Sequence, residues 1–120
     1  MITRLWSARA TESGSREYLK HFDGAVLPEL RKVAGYVGST VLTRATSGEV
    51  EILVATVWRS LDAISEFAGP DPEKAVVAGE AAAVLTSYDD RVRHFELAVL
   101  DRAPCVDRAA CVDRGGHGLP

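Results

Sequence analysis

No asparagine occurs anywhere in the 120 residues, and the only cysteines, Cys105 and Cys111, lie near the C-terminal end. Two cysteines outside the segments that read as core give no disulfide framework and no sign of an oxidising compartment. No apolar run approaches the ~20 residues of a membrane span. A signal peptide would set charge first and an apolar block after. Here Arg4 and Arg9 interrupt a short apolar run instead, so the chain reads as cytoplasmic. Net charge is −3, with acids and bases interspersed and no basic stripe. That removes the electrostatic footprint of a nucleic-acid binder. A glycine-rich phosphate loop is also missing: Gly35 and Gly38 read as punctuation of a turn and a strand. Ser7, Ser39 and Ser60 lack the context of a nucleophile elbow, and no two carboxylates are spaced for paired acid–base work.

What remains is an ordinary globular composition, 47% hydrophobic and 26% charged, in a length that suits one domain. Residues 1–11 alternate as a strand, with Ile2, Arg4, Trp6, Ala8 and Ala10 on one face. Capping residues follow in 11–15, and a helix is expected from about Ser15. Its apolar stripe is Leu19, Phe22, Val26, Leu30 and Val33. Pro28 falls inside that stripe, which predicts a kink, or a break with Pro28 opening a second short helix. Gly35 ends the helix. Two strands, 36–46 and 50–58, flank the short connector 47–49 as a hairpin. Ser60 caps a helix that buries Ala63, Ile64 and Phe67, and 69–72 breaks it. One or two alanine-rich helical turns are expected within 74–88. A closing strand over 91–100 sets Val92, His94, Glu96 and Ala98 on one face.

The order β-α-β-β-α-β is the split βαβ arrangement: an α+β, ferredoxin-like antiparallel sheet in the order 4-1-3-2, with helices on one face. Leu53, Ala55 and Val57 make the other face apolar too. An apolar face cannot stay bare at this size, and a second copy laid sheet to sheet would cover it as a homodimer. The domain therefore spans 1–100, and 101–120 reads as a mobile tail. There Cys105-Val-Asp-Arg108 recurs as Cys111-Val-Asp-Arg114. With His117 the cysteines match no compact zinc spacing and lack a fourth ligand, so no metal is expected.

The run from Val57 and Trp58 through Ser60, Asp62 and Ala63 to Phe67 resembles the antibiotic biosynthesis monooxygenase family. The closing 90–96 segment, Leu27-Pro28-Glu29 and the Gly35–Gly38 stretch are similar to it as well. The resemblance covers about residues 1–99. It implies a dimeric α+β barrel with one pocket per subunit between sheet and helices. Some members oxidise aromatic quinols with dioxygen and no cofactor; others bind and degrade haem. The haem-degrading branch uses an Asn, Trp and His triad. This chain has Trp6 and Ser7 in the first strand with no Asn, Phe67 in place of the helical Trp, and no His in 73–80. No haem or other cofactor is expected. Trp58 matches the Trp of the quinol-oxidising branch, whose Asn has no counterpart here.

Candidate site residues follow. Arg4, Trp6 and Trp58 converge at one mouth of the barrel in the 4-1-3-2 order. They form either a platform for a flat anionic aromatic or simple packing. His94 is either a base acting on a phenol or α-proton or a hydrogen-bonding group of the dimer. Arg4 and His94 are the candidate catalytic pair. Trp6, Trp58, Phe67, Tyr18 and Phe22 form the candidate substrate-binding set, and His21 is expected to face solvent. The resulting function is a cofactor-independent monooxygenase acting on a small enolisable or phenolic aromatic. The alternative is a non-catalytic dimeric ligand-binding or structural protein of the same fold.

Overall fold

A computed structural model describes residues 1–101. The readings of the cysteine-bearing tail lie outside the described residues. The chain opens with strand β1, Ile2–Ala10, and turns into helix α1, Glu12–His21. Thr11 is the cap that starts α1: its Oγ1 accepts from Gly14 N at 3.0 Å. The helix therefore begins before the expected Ser15, whose hydroxyl instead donates to Glu12 O at 2.7 Å from a buried position.

The inward face of α1 also differs from the expected stripe. Gly14, Ser15 and Tyr18 are buried, whereas Leu19 is 40% exposed. Gly14 leaves no room for a Cβ against the Val84 carbonyl, so the buried face begins with Gly and Ser rather than with the largest apolar side chains. Phe22 and Leu30 continue the buried face.

Between them runs a π-helical segment, Phe22–Val26, in which Leu27 N–H reaches back to Phe22 O. Helix α2, Leu27–Arg31, follows with Pro28 in its first turn. The widened turn places Pro28 where its missing N–H costs little, which is the expected break. Gly35 then takes φ +99°, and a Cβ there would meet Ala63 Cβ at 2.8 Å. Only glycine satisfies both the left-handed backbone and that close approach.

Strands β2, Tyr36–Thr46, and β3, Glu49–Trp58, form the hairpin, with Gly48 at φ +83° in the turn. Helix α3, Leu61–Ala68, is capped by Ser60, whose hydroxyl accepts from Ala63 N. The alanine-rich region yields only α4, Gly79–Val84.

The expected closing strand over 91–100 is shortened to β5, Arg93–Glu96, and a second short strand, β4, Ser87–Tyr88, ends the stretch expected to be helical; both pair with β1. Between them the backbone turns to the α3–α4 connector. Ala75 N donates to Asp90 O and Val92 N to Glu73 O. In addition, the Trp6 indole donates to Asp89 O at 2.8 Å. These partners occupy groups that an unbroken strand would offer to β1.

The sheet order β2-β3-β1-β4 is the expected one, and the α+β ferredoxin-like order holds. Strand alternation puts Arg4, Trp6, Ala8 and Ala10 beside Ile52, Val54, Thr56 and Trp58 on the buried face. The other face carries half-exposed Leu5, Leu53, Ala55 and Val57. Leu42 and Phe95, at 51% and 48% exposure, extend it. Among the described residues no helix is long and apolar enough to cross a membrane.

Trp58, fully buried, anchors the core. Its indole N–H donates to Thr56 Oγ1 at 2.8 Å, and it packs on Tyr36 and Phe67 at centroid separations of 5.4 and 5.7 Å. Trp58→Ala is expected to cost about 3–5 kcal/mol of stability. Urea unfolding measures it, and a loss under about 1 kcal/mol would show that the site collapses freely.

Candidate functional site

The parity of β1 sends Arg4 and Trp6 to the same side of the sheet, and the helices stop short of closing over them. A cavity of about 260 Å³ remains. Trp6 comes from β1, Tyr18 and Phe22 from the α1 side, and Phe67 from α3; all four rings line it together with Arg4. Trp6 and Tyr18 stand 5.8 Å apart between centroids, and Tyr18 and Phe22 6.4 Å. Thr56, Val54 and Leu30 contribute to the lining, and Val76, Val77 and Ala78 bring the α3–α4 connector to it.

Arg4 dominates the electrostatics. It is 7% exposed, and among the described residues no carboxylate lies within salt-bridge distance of it. Nη2 donates to Lys74 O at 2.7 Å. The guanidinium carbon stands 5.7 Å from the Phe67 ring centroid, a cation–π arrangement. Nε is sealed from solvent and has no partner. Burial pushes the guanidinium down to about 10, so it stays charged at neutral pH. Burial likewise pushes the Tyr18 phenol above its ordinary value, which keeps it a neutral hydroxyl. The cavity thus offers aromatic walls, one cation and one phenolic hydroxyl, a combination that suits a planar molecule carrying or developing negative charge.

Arg4, Trp6, Tyr18, Phe22 and Phe67 therefore meet in one cavity. Trp58 does not line it: Phe67 packs on Trp58 and is the ring that reaches the space. Nor does His94. It pairs directly with Arg4 across β1 and β5, beside the site rather than in it, and its Nε2 is sealed without a partner. Burial lowers its pKa, the field of Arg4 lowers it further, and Glu73 opposes them.

His21, expected toward solvent, is half-buried and lines the cavity with Glu29 and Glu80. Its spacing of three from Tyr18 was the available signal, since residues three apart share a helix face. Glu80 depends on where the short α4 lands, and no pattern in the sequence marks that. Among the described residues no group of three or more His, Cys, Asp or Glu is placed to hold a metal ion.

No protein-family model and no curated protein sequence matches this chain. Solved structures do. One is a candidate antibiotic biosynthesis monooxygenase from Bacillus cereus, 17% identical, with a TM-score of 0.60 over 85% of this chain and 97% of that one. Another is a mutant of MhuD with two manganese protoporphyrin IX molecules bound per active site. It is 20% identical, with a TM-score of 0.61 over 86% of this chain and 100% of that one. The resemblance read from the sequence therefore holds at the level of the fold.

A buried cation without a counter-ion is a stability liability, and an apolar replacement of similar volume relieves its desolvation. Arg4→Met is expected to leave stability unchanged or to raise it, by up to about 4 kcal/mol. Urea unfolding decides: a loss of more than about 1 kcal/mol would make Arg4 a structural residue.

Proposed function

We propose that the chain binds a small phenolic or enolisable aromatic in this cavity and acts on it as a cofactor-independent monooxygenase. The observation that supports the reading is the uncompensated charge of Arg4 inside aromatic walls. Cofactor-free oxygenation needs a substrate that supplies its own electrons, which a phenolate or enolate does. Arg4 stabilises that anion, and the rings hold its plane. The proton leaves to a base on the cavity wall, where His21 is the imidazole. The carbanionic carbon then bonds to one oxygen atom of dioxygen. The peroxide anion so formed takes the proton back from the imidazolium; the hydroperoxide then loses water, the O–O bond breaking as the remaining hydrogen on that carbon leaves, to give a carbonyl, so one oxygen atom stays in the product and the other departs in water. Both electron pairs come from the substrate.

Haem fits poorly. The resemblance gives the haem-degrading branch an Asn and a helical Trp; this chain has no Asn, and Phe67 stands in the cavity wall in place of that Trp, so no haem step is derived.

The apolar outer sheet face supports the second part of the reading, a homodimer through Leu5, Leu42, Leu53 and Phe95. Phe95→Glu with Leu42→Glu is expected to shift a dimer to monomer in analytical ultracentrifugation. A wild-type monomer at all concentrations would remove the dimer.

The activity is tested by oxygen uptake over a panel of quinols and anthrones, with tryptophan fluorescence reporting ligand at Trp6. Turnover with the wild-type chain and a loss of at least tenfold in Arg4→Met is expected. Saturable binding without uptake would leave a non-catalytic ligand-binding protein. Neither binding nor uptake would leave a structural one.

A further inference from the structure

Two nitrogens among the described residues are sealed from solvent without a hydrogen-bond partner, Arg4 Nε and His94 Nε2. They belong to residues directly opposite each other on β1 and β5. Buried polar atoms are almost always paired, so two orphans on one cross-strand pair call for a common explanation. Arg4 lines the cavity, and His94 is not among its lining residues. We propose that His94 is the proton-accepting partner of Arg4, taking up a proton when an anion occupies the cavity against the guanidinium and returning it when the anion leaves. The proposal rests on the reading of the cavity given above.

The physics is a three-body charge balance. In the empty site a protonated His94 would add a second buried positive charge beside Arg4, and desolvation and repulsion both oppose it. An anion against Arg4 cancels that repulsion and attracts the imidazolium directly. Two other acids bear on His94. Glu73, on the α3–α4 connector, favours its protonation. Glu96, two residues along the same strand, is exposed. Arg93 points to the opposite sheet face by strand alternation. Asp71 is engaged with Arg91 at the surface. Arg4 is therefore the charge whose neutralisation changes when a ligand arrives.

His94 acts through Arg4 as a positioning residue. Anion binding and protonation then favour each other by the same factor, whichever comes first. Affinity rises as pH falls, from the midpoint of His94 in the complex down to its midpoint in the free protein. The slope approaches tenfold per pH unit where a whole proton is taken up. The lower edge of the window lies below the ordinary histidine range, because burial and the field of Arg4 lower the free-protein midpoint.

Benzoate is a suitable probe, ionised throughout this range. His21 also lines the cavity, so the reading is taken from the His94 resonance itself and from the difference between the wild-type chain and His94→Gln. By NMR, the midpoint of His94 is expected to rise on saturation with benzoate, and to lie higher in ligand-free Arg4→Met than in the wild-type chain. Benzoate affinity is expected to fall more steeply with rising pH in the wild-type chain than in His94→Gln. Binding with no movement of the His94 midpoint overturns the proposal and leaves the cavity reading standing. Equal midpoints in the wild-type chain and Arg4→Met do the same. Absence of benzoate binding overturns both.

Discussion

The guanidinium of Arg4 has left water without meeting a carboxylate among the described residues, and much of the inner face is arranged around that fact. Among the described residues its side chain donates one hydrogen bond, to the Lys74 carbonyl, which ties the α3–α4 connector down across β1. The ring it stands over is Phe67, which in turn rests on Trp58. A charge-assisted hydrogen bond and a cation–π contact offset only part of the several kcal/mol that desolvating an ion costs. A core built for stability alone would place an aliphatic side chain here. The retained charge marks the cavity as something other than a packing defect, because a defect would be lined by apolar atoms throughout.

The same constraint accounts for the irregular closing segment. An unbroken strand over 87–96, joining β4 to β5, would hydrogen-bond to β1 along its length. Instead Asp89 O is taken by the Trp6 indole, and the 90–92 backbone pairs with the connector that holds Arg4. Splitting the strand lets one segment brace two walls of the cavity. The π-helical turn does a comparable job on the opposite side. It carries Phe22 at its start and brings α2, with Leu30 and Glu29, to the cavity. Local departures from regular structure thus gather around the cavity, a pattern expected where a site rather than a core sets the geometry.

The fold was largely legible in the sequence because its signals are periodic. Alternation along 1–11 and 50–58 put Arg4, Trp6, Val54 and Trp58 on one face, and the hairpin and caps followed from Gly48 and Ser60. The site was legible only in part. Parity assigns a face but not a position along the strand. The register pairs Ile2 with Trp58 and Arg4 with Thr56, which carries Trp58 past the cavity to the floor beneath Phe67. His94 lay on the correct face, but its depth depends on how the split strand leaves β1, and that depends on contacts 15 to 19 residues away in sequence, Ala75 with Asp90 (15) and Val92 with Glu73 (19). The inner face of α1 was misjudged at Leu19 because Gly14 and Ser15 carry no hydrophobic signal, though the missing Cβ of Gly14 is what admits the Val84 carbonyl of α4.

The distribution of charge also bears on what form of ligand the cavity favours. Arg4 is buried, whereas Glu29 and Glu80, which also contribute to the lining, are exposed. Solvated carboxylates act weakly and are screened by salt, so they only mildly disfavour an approaching anion. The buried cation acts in a lower dielectric and attracts negative charge far more strongly. A ligand that arrives as a neutral acid avoids the first effect and gains the second once its proton is lost. Phenols and enolisable carbonyls do this, and a permanently charged ligand does not. Placing the strong interaction only where the anion forms means that stabilisation appears on ionisation rather than on entry, the condition under which binding energy accelerates a reaction instead of merely retaining its substrate.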